Sequence, residues 1–402
     1  MTDVVALPTW DLCDLYPGAE SPELTADLEK SERDAVAFHQ QNAGKLLSRG
    51  AAGLAEAIVE FEAIDQTLSR LLSYANLVYA ADMSCPKAGQ FFQTLREQVN
   101  QIAASLVFFT LEINQLDEDT LKGWIAKNRI LTRYAPWLRD TRIFIPHQLS
   151  CEMERLLHEK SVVGQAAWNR LFDETMAALR FPLGGGQLTS TQALDRLSDR
   201  DQAVRREAGQ VLGENIRVFA LITNTLAKDK EIDDKWRNYP RPPSFRNLCN
   251  RVEDSVVDTL VGAVKAAYPN LSHRYYALKA KWFGGDRLDY WDRNAPLPDV
   301  EERHYSWAAA RDIVLGAYQG FSPELAVVAR RFFENPWIDA PLRPGKAPGA
   351  FAHPTVPSVH PYLLLAYPVN ADTHYMLGAP NRRSRVQRRS APQPRPRSPA
   401  MI

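Results

Sequence analysis

The chain has 402 residues, 45% of them hydrophobic and 24% charged, and its 48 basic residues balance 48 acidic ones. That length can bury a core without disulfide or metal staples, and at roughly 150 residues per domain it allows two or three structural units. Zero net charge excludes a wholly basic nucleic-acid binder and an acidic solvating chain.

Residues 1–15 include Asp3, Asp11 and Asp14 and lack the basic and apolar regions of a secretory signal. Between residues 23 and 235 only four prolines occur, Pro86, Pro136, Pro146 and Pro182. Proline breaks helix interiors, so this stretch is free to be helical. Leu54, Ile58, Phe61, Leu68, Leu72 and Ala75 recur at helical spacing. Leu95, Val99, Ile102, Leu106, Phe109 and Ile113 form an a/d seam, expected to pack on a neighbouring helix at a shallow angle. The most apolar stretch, residues 103–111, is 9 residues long and too short for the roughly 20 that a membrane span needs. FPLGGGQLTST at 181–191 lacks the GK[ST] of a phosphate loop and reads as a glycine turn in a small hairpin. Val204, Ala208, Val211, Val218, Ile222 and Leu226 predict one long helix over about 201–238.

Arg241, Pro242 and Pro243 mark a change of character. Helices are predicted over 255–267, 304–319 and 322–335, the last with Ser322 as N-cap and Pro323 in its first turn. Extended segments are predicted at 288–292, 350–353 and 362–367. Of the 27 prolines, 13 lie in the last 67 residues. The organisation expected is an N-terminal helical region over 1–240 with a small hairpin near 181–191, a second region over 241–365, and an Arg/Pro-rich, disordered tail over 366–402. The fold class is mainly α, with a few short strands.

Five stretches carry a family resemblance. They are NLCNRVEDSVVDTLVGAV from Asn247, AYPNLSHRYYALKAKWFG from Ala267, WDRNAPLP from Trp291, FSPELAVVARRFF from Phe321, and WIDAPLRPGKAPGAFAHPTVPSVHPYLLL from Trp337. They resemble the oligoendopeptidase F family of thimet-oligopeptidase-like zinc peptidases, as does LPTWDLCDLYPG at 7–18. The resemblance runs over about 7–365 and is most specific in PGKAPGAFAHPT at 344–355. It implies a two-lobed helical body around a deep channel, with one zinc ion in intact members and internal cleavage of short peptides.

That chemistry needs an HExxH helix, whose two histidines share one helical face and one metal, with the glutamate as general base. The eight histidines here are His39, His147, His158, His273, His304, His353, His360 and His374, and no two are four apart. His158 begins HEKSV, with valine where the second ligand would stand, and reads as part of a solvated helical face. His353, His360 and His374, in or after a proline-rich stretch, make a weak alternative metal site. No zinc or other cofactor is therefore expected in this chain, nor any catalytic or metal-binding residue, and it is predicted to be inactive alone. The resemblance stops at about Leu365, which suggests a catalytic lobe that ends before the zinc helix, from a truncated or frame-shifted gene. No GxSxG elbow occurs, Cys249 reads as a buried structural thiol, and adjacent Glu253 and Asp254 read as helix N-terminal charges.

The strand resembling the one before the zinc helix implies a cleft wall to which peptide can add as an extra strand. That carries over Gly349, Ala350, Phe351, His353 and Tyr362 as substrate-binding candidates, against the alternative that they only pack the lobe interface. The partners expected are short peptides, with no specific nucleic acid and no membrane. Self-association through an exposed apolar surface is also expected. Cys13, Cys85, Cys151 and Cys249 form no CxxC pair, fit a reducing compartment, and support a cytoplasmic location. A non-catalytic peptide-binding or interaction protein is the second reading. Residues 373–402 hold seven arginines and no acid, which leaves 41 basic and 48 acidic residues in 1–372. Neutrality is therefore the sum of a −7 body and a +7 tail.

Overall fold

The structure is a computed structural model that describes residues 7–214, 216–298 and 305–367. Helices dominate it. The first is α1 (Pro22–Asn42), where Ser21 caps the N-terminus by accepting from the Leu24 N–H and Pro22 opens the first turn. Then come α2 (Leu46–Ala81) and α3 (Pro86–Ala104), which lie against one another and against α1. Gly50, at φ 64°, puts a kink in α2 near its start. α4 (Val107–Gln115), α5 (Glu118–Lys127) and α6 (Arg129–Arg142) complete this layer, the last two opened by Asp117 and Asn128 caps.

The a/d seam is fully buried, but two helices carry it rather than one. The Ser105 N–H and Oγ both turn back to the Ile102 carbonyl, which ends α3 two residues before α4 begins. The heptad spacing survives the break, so Leu106, Phe109 and Ile113 still face inward. There Phe109 meets Phe38 edge-on, with ring centroids 5.0 Å apart, and Phe61 tilted at the same distance.

α7 (Cys151–Lys160) and α8 (Gln165–Ala178) lead into the hairpin of β1 (Phe181–Leu183) and β2 (Gly186–Leu188). Its two-residue turn, Gly184 and Gly185, has φ of 59° and 77°, the left-handed pair that such a turn requires. α9 (Ser190–Asp195) opens with a capping box between Thr189 and Gln192. The helix expected over 201–238 is two, α10 (Gln202–Leu212) and α11 (Ile216–Trp236). Gly213 closes α10 by donating back to Gln210 and Val211, and the stripe is not continuously buried, with Val218 44% exposed.

α12 (Ser244–Cys249) precedes α13 (Asp254–Ala267), and a π-turn at Pro269–His273 joins α13 to α14 (Arg274–Trp282). Cys249 is half-buried rather than buried. Glu253 is the N-cap residue of α13, as its position implied, while Asp254 accepts from Ser244 and Asn247. Residues 288–292 form no strand. Tyr290–Asp292 is a 3₁₀ turn, because the buried Asp292 carboxylate is taken by Gln202 and by the Arg205 guanidinium, 2.7 and 2.9 Å away. α15 (Trp307–Phe321) and α16 (Pro323–Glu334) form a hairpin, with Ser322 capping α16 as expected.

A three-stranded sheet closes the described chain, in the order β3 (Ile338–Pro341), β5 (Tyr362–Tyr367), β4 (Phe351–His353). β3 runs parallel to β5 and β4 antiparallel to it. The sheet is tied to the N-terminal segment, where the Asp11 N–H donates to the Pro336 carbonyl and the Ala340 N–H to that of Pro8. Trp337 and Tyr362 enter the same hydrophobic core as α1–α6. Of the tail expected over 366–402, the first two residues end β5 instead, since the strand runs on past 365, and the rest lies outside the described residues, as do His304 and His374.

Candidate functional site

The five candidate residues fall on one small piece of the structure. Gly349, Ala350, Phe351 and His353 are the approach to β4 and the strand itself, and His353 is paired in register with Tyr362 on β5. Gly349 is exposed with φ at 81°, so the chain turns into β4 through a conformation that favours glycine. Ala350 is exposed. Phe351 is half-buried and packs on the core of the first helices.

Tyr362 does not reach a cleft. It is wholly buried, its ring sits edge-on to Trp10, and its hydroxyl donates to the Asp11 carbonyl at 2.9 Å. Burial and the carboxylates of Asp14 and Asp11 hold its phenol well above the ordinary range. Alternation puts Phe351, His353 and Tyr362 on one inward face of the antiparallel pair. His353 is half-buried there, and burial lowers its pKa. These side chains pack, and what the site offers outward is main chain.

β4 is an outer strand of the sheet and β5 is its centre. Among the described residues, one row of N–H and C=O groups on β4 is not taken by another strand. Such a row is the template for β-augmentation. The free row belongs to β4, and β5 has none, because strands flank it on both sides.

The loop from β3 to β4 is held by residues that the sequence did not single out. Lys346, 7% exposed, donates through Nζ to the Asp339 carboxylate, to the Asp339 carbonyl at 3.0 Å and to the Pro341 carbonyl at 2.8 Å. Burial pushes its pKa down, and the Asp339 carboxylate opposes that shift. Arg343 donates to the other Asp339 oxygen at 2.7 Å. The only hint in the sequence was a lone lysine inside the family-like PGKAPG run.

Among the described residues no three His, Cys, Asp or Glu side chains come together in a way that could hold an ion. His147 stacks on Tyr239 and His39 meets Phe108 edge-on. His360 stacks on Trp337 with its Nε2 2.8 Å from Asp14. His158 is not on a solvated face: it is half-buried, its Nε2 has no hydrogen-bond partner, and burial lowers its pKa. The donor set of an HExxH zinc site does not fit the residues present, so no step is derived through zinc.

The fold is an α-helical body with a small mixed sheet in which β4 is an outer strand. The oligopeptidase F family model matches residues 112–181. Oligopeptidase PepF of Bacillus subtilis (strain 168) is 25% identical over 398 residues, which cover 94% of this chain and 57% of that protein. The fold matches oligoendopeptidase-F from Enterococcus faecium (TM-score 0.62, 22% identity, 78% of this chain and 61% of that one). It also matches PZ peptidase A solved with an inhibitor (TM-score 0.65, 13% identity, 89% and 61%). In sequence and in fold the chain is similar to oligopeptidase F proteins. It spans under two thirds of the length of these relatives. No helix among the described residues is long and apolar enough to cross a membrane.

Proposed function

We propose that this chain is an oligopeptide-holding body of the oligoendopeptidase F type that does not itself cut what it holds. The observation that carries the reading is the outer position of β4, whose free main-chain row lies next to the exposed Gly349 and Ala350. Main-chain pairing along an edge gives affinity with little demand on peptide sequence, which suits short and varied peptides. Hydrolysis needs a metal-activated water and a base, and no pair of histidines four apart stands anywhere in this sequence to supply them. The relatives' names describe peptidases. For this chain we carry over the peptide and leave the cleavage out. The free thiols of Cys13, Cys85, Cys151 and Cys249 fit a reducing compartment, and on that ground we place the protein in the cytoplasm.

The test is a titration with a labelled oligopeptide and with its backbone N-methylated analogue. Saturable binding of the first and loss of binding by the second is the expected outcome, because methylation removes the donors that strand addition uses. Equal binding of both would sink the edge-pairing account. Dialysed protein is expected to retain no stoichiometric zinc by elemental analysis; tight zinc at one ion per chain would contradict the reading.

A further inference from the structure

The loop that delivers the chain into β4 is held by hydrogen bonds from two sides and borders a small gap on a third. From β3 it is held by Lys346, whose ammonium bonds the Asp339 carboxylate and the Asp339 and Pro341 carbonyls. From the turn between α2 and α3 it is held by main chain: the Met83 N–H donates to the Gly345 carbonyl at 2.7 Å, and the Ala347 N–H to the Ala80 carbonyl at 2.9 Å. On its third side Leu342, Arg343, Gly345 and Lys346 face Met176, Ala177 and Thr189 across a small gap. Gly345 has no room for a side chain: a Cβ there would lie 2.1 Å from Asp82 Oδ1 and 2.3 Å from Ser84 Oγ, and its φ of 80° favours glycine.

A lysine is seldom buried without a task, since desolvating an ammonium costs several kcal/mol unless its donors are all used. Here three donors meet three acceptors, and two of these are main-chain oxygens at the end of β3. Asp339 does not depend on Lys346 for charge balance, because Arg343 holds its second oxygen. The lysine therefore adds geometry rather than neutrality.

We propose that Lys346 is the positioning residue of the peptide-receiving edge: with Gly345 seated against Asp82 and Ser84, it fixes where β4 stands relative to the helical body. This rests on the peptide-binding reading above. Lys346 touches no peptide in this account and acts through the loop it bolts down.

The test compares Lys346→Met, Gly345→Ala and a control, Leu131→Val, in the full chain. The control removes a core methylene in α6, far from the loop in sequence, at a small cost in stability. Amide hydrogen exchange is read at residues 342–353 and in α2, together with affinity for the labelled oligopeptide. The expected result is exchange at Phe351–His353 faster by about tenfold or more in both loop variants, with α2 unchanged and peptide binding weakened by a similar factor. The control should leave both readings at wild-type values. Unchanged β4 exchange in Lys346→Met, a rise matched by the control, or loosened β4 with unchanged affinity would each overturn the proposal. A wild-type chain that binds no peptide would overturn the peptide-binding reading instead, and the exchange comparison would still decide what holds β4.

Discussion

Asp65, on α2, is a carboxylate that the fold tolerates rather than uses. Burial and the neighbouring Glu62 push its pKa up from 3.8 to about 6. A raised folded-state pKa contributes stability that is full below the unfolded value and is lost as pH rises through the folded one. The Asp65 carboxylate therefore weakens the native state between pH 3.8 and 6 and above. Asp65→Asn should raise stability at pH 7 by about 1–2 kcal/mol, after allowing for partial exposure, and by almost nothing below pH 3.8. Thermal melts across that range check it, and an equal effect at both ends would contradict it. His158 and His353 act in the opposite direction. Burial lowers both from 6.5, so their contribution is present above 6.5 and is lost as pH falls below it. His353→Gln should flatten that acid limb in the same melts, and an unchanged limb would show that His353 titrates normally. Residue roles were the least legible part of the sequence. Tyr362 was a candidate because the resemblance places its strand at a cleft wall; which face of that strand is covered depends on Trp10 and Asp11, some 350 positions away. Lys346 went unnoticed because a lysine in a proline-rich loop is solvated by default.

Elements were read better where burial follows local period. The stripe from Leu95 to Ile113 predicted its inward face correctly even though the helix breaks at Ser105, because the two intervening residues, Ser105 and Leu106, keep a right-handed helical backbone and so hold the phase. The same continuity concealed the break at Gly213. Residues 288–292 looked extended from composition, but a long-range ion pair decides their shape. Arg205 on α10, 1% exposed, grips Asp292 through Nε and Nη2 and also donates to the Asp199 and Arg200 carbonyls. Arg205→Met should cost about 3–5 kcal/mol, since it strands a buried carboxylate. Replacing Asp292 by Asn in the same chain should recover part of that loss, because the stranded group is then neutral. Denaturant midpoints of the two variants decide it. A loss below about 1 kcal/mol in the single variant would mean that water reaches the pair.

For the whole molecule, the first and second halves differ in how well they are covered. α1–α6 share one dense core that includes Trp337 and Tyr362. α13 buries none of its residues and leaves Val256, Leu260, Val261 and Val264 exposed, while α15 and α16 expose Phe321, Val327 and Val328. Apolar faces of this kind drive association. The purified chain should therefore run above monomer mass in light scattering, and Leu260→Lys with Val327→Lys should shift it toward monomer. A monomer at high concentration would contradict this. The resemblance was legible in the sequence because the segments that carry it are contiguous strings. The free edge was not, since the order β3-β5-β4 is a property of three strands that no single string contains.

The central proposal is a body that holds oligopeptides without cutting them. The most direct measurement is the anisotropy of a labelled oligopeptide followed over hours with the full chain and added zinc. A saturable rise that then stays constant is the predicted result. No rise at all, or a rise that decays as the peptide is cut and is halted by a chelator, would contradict it.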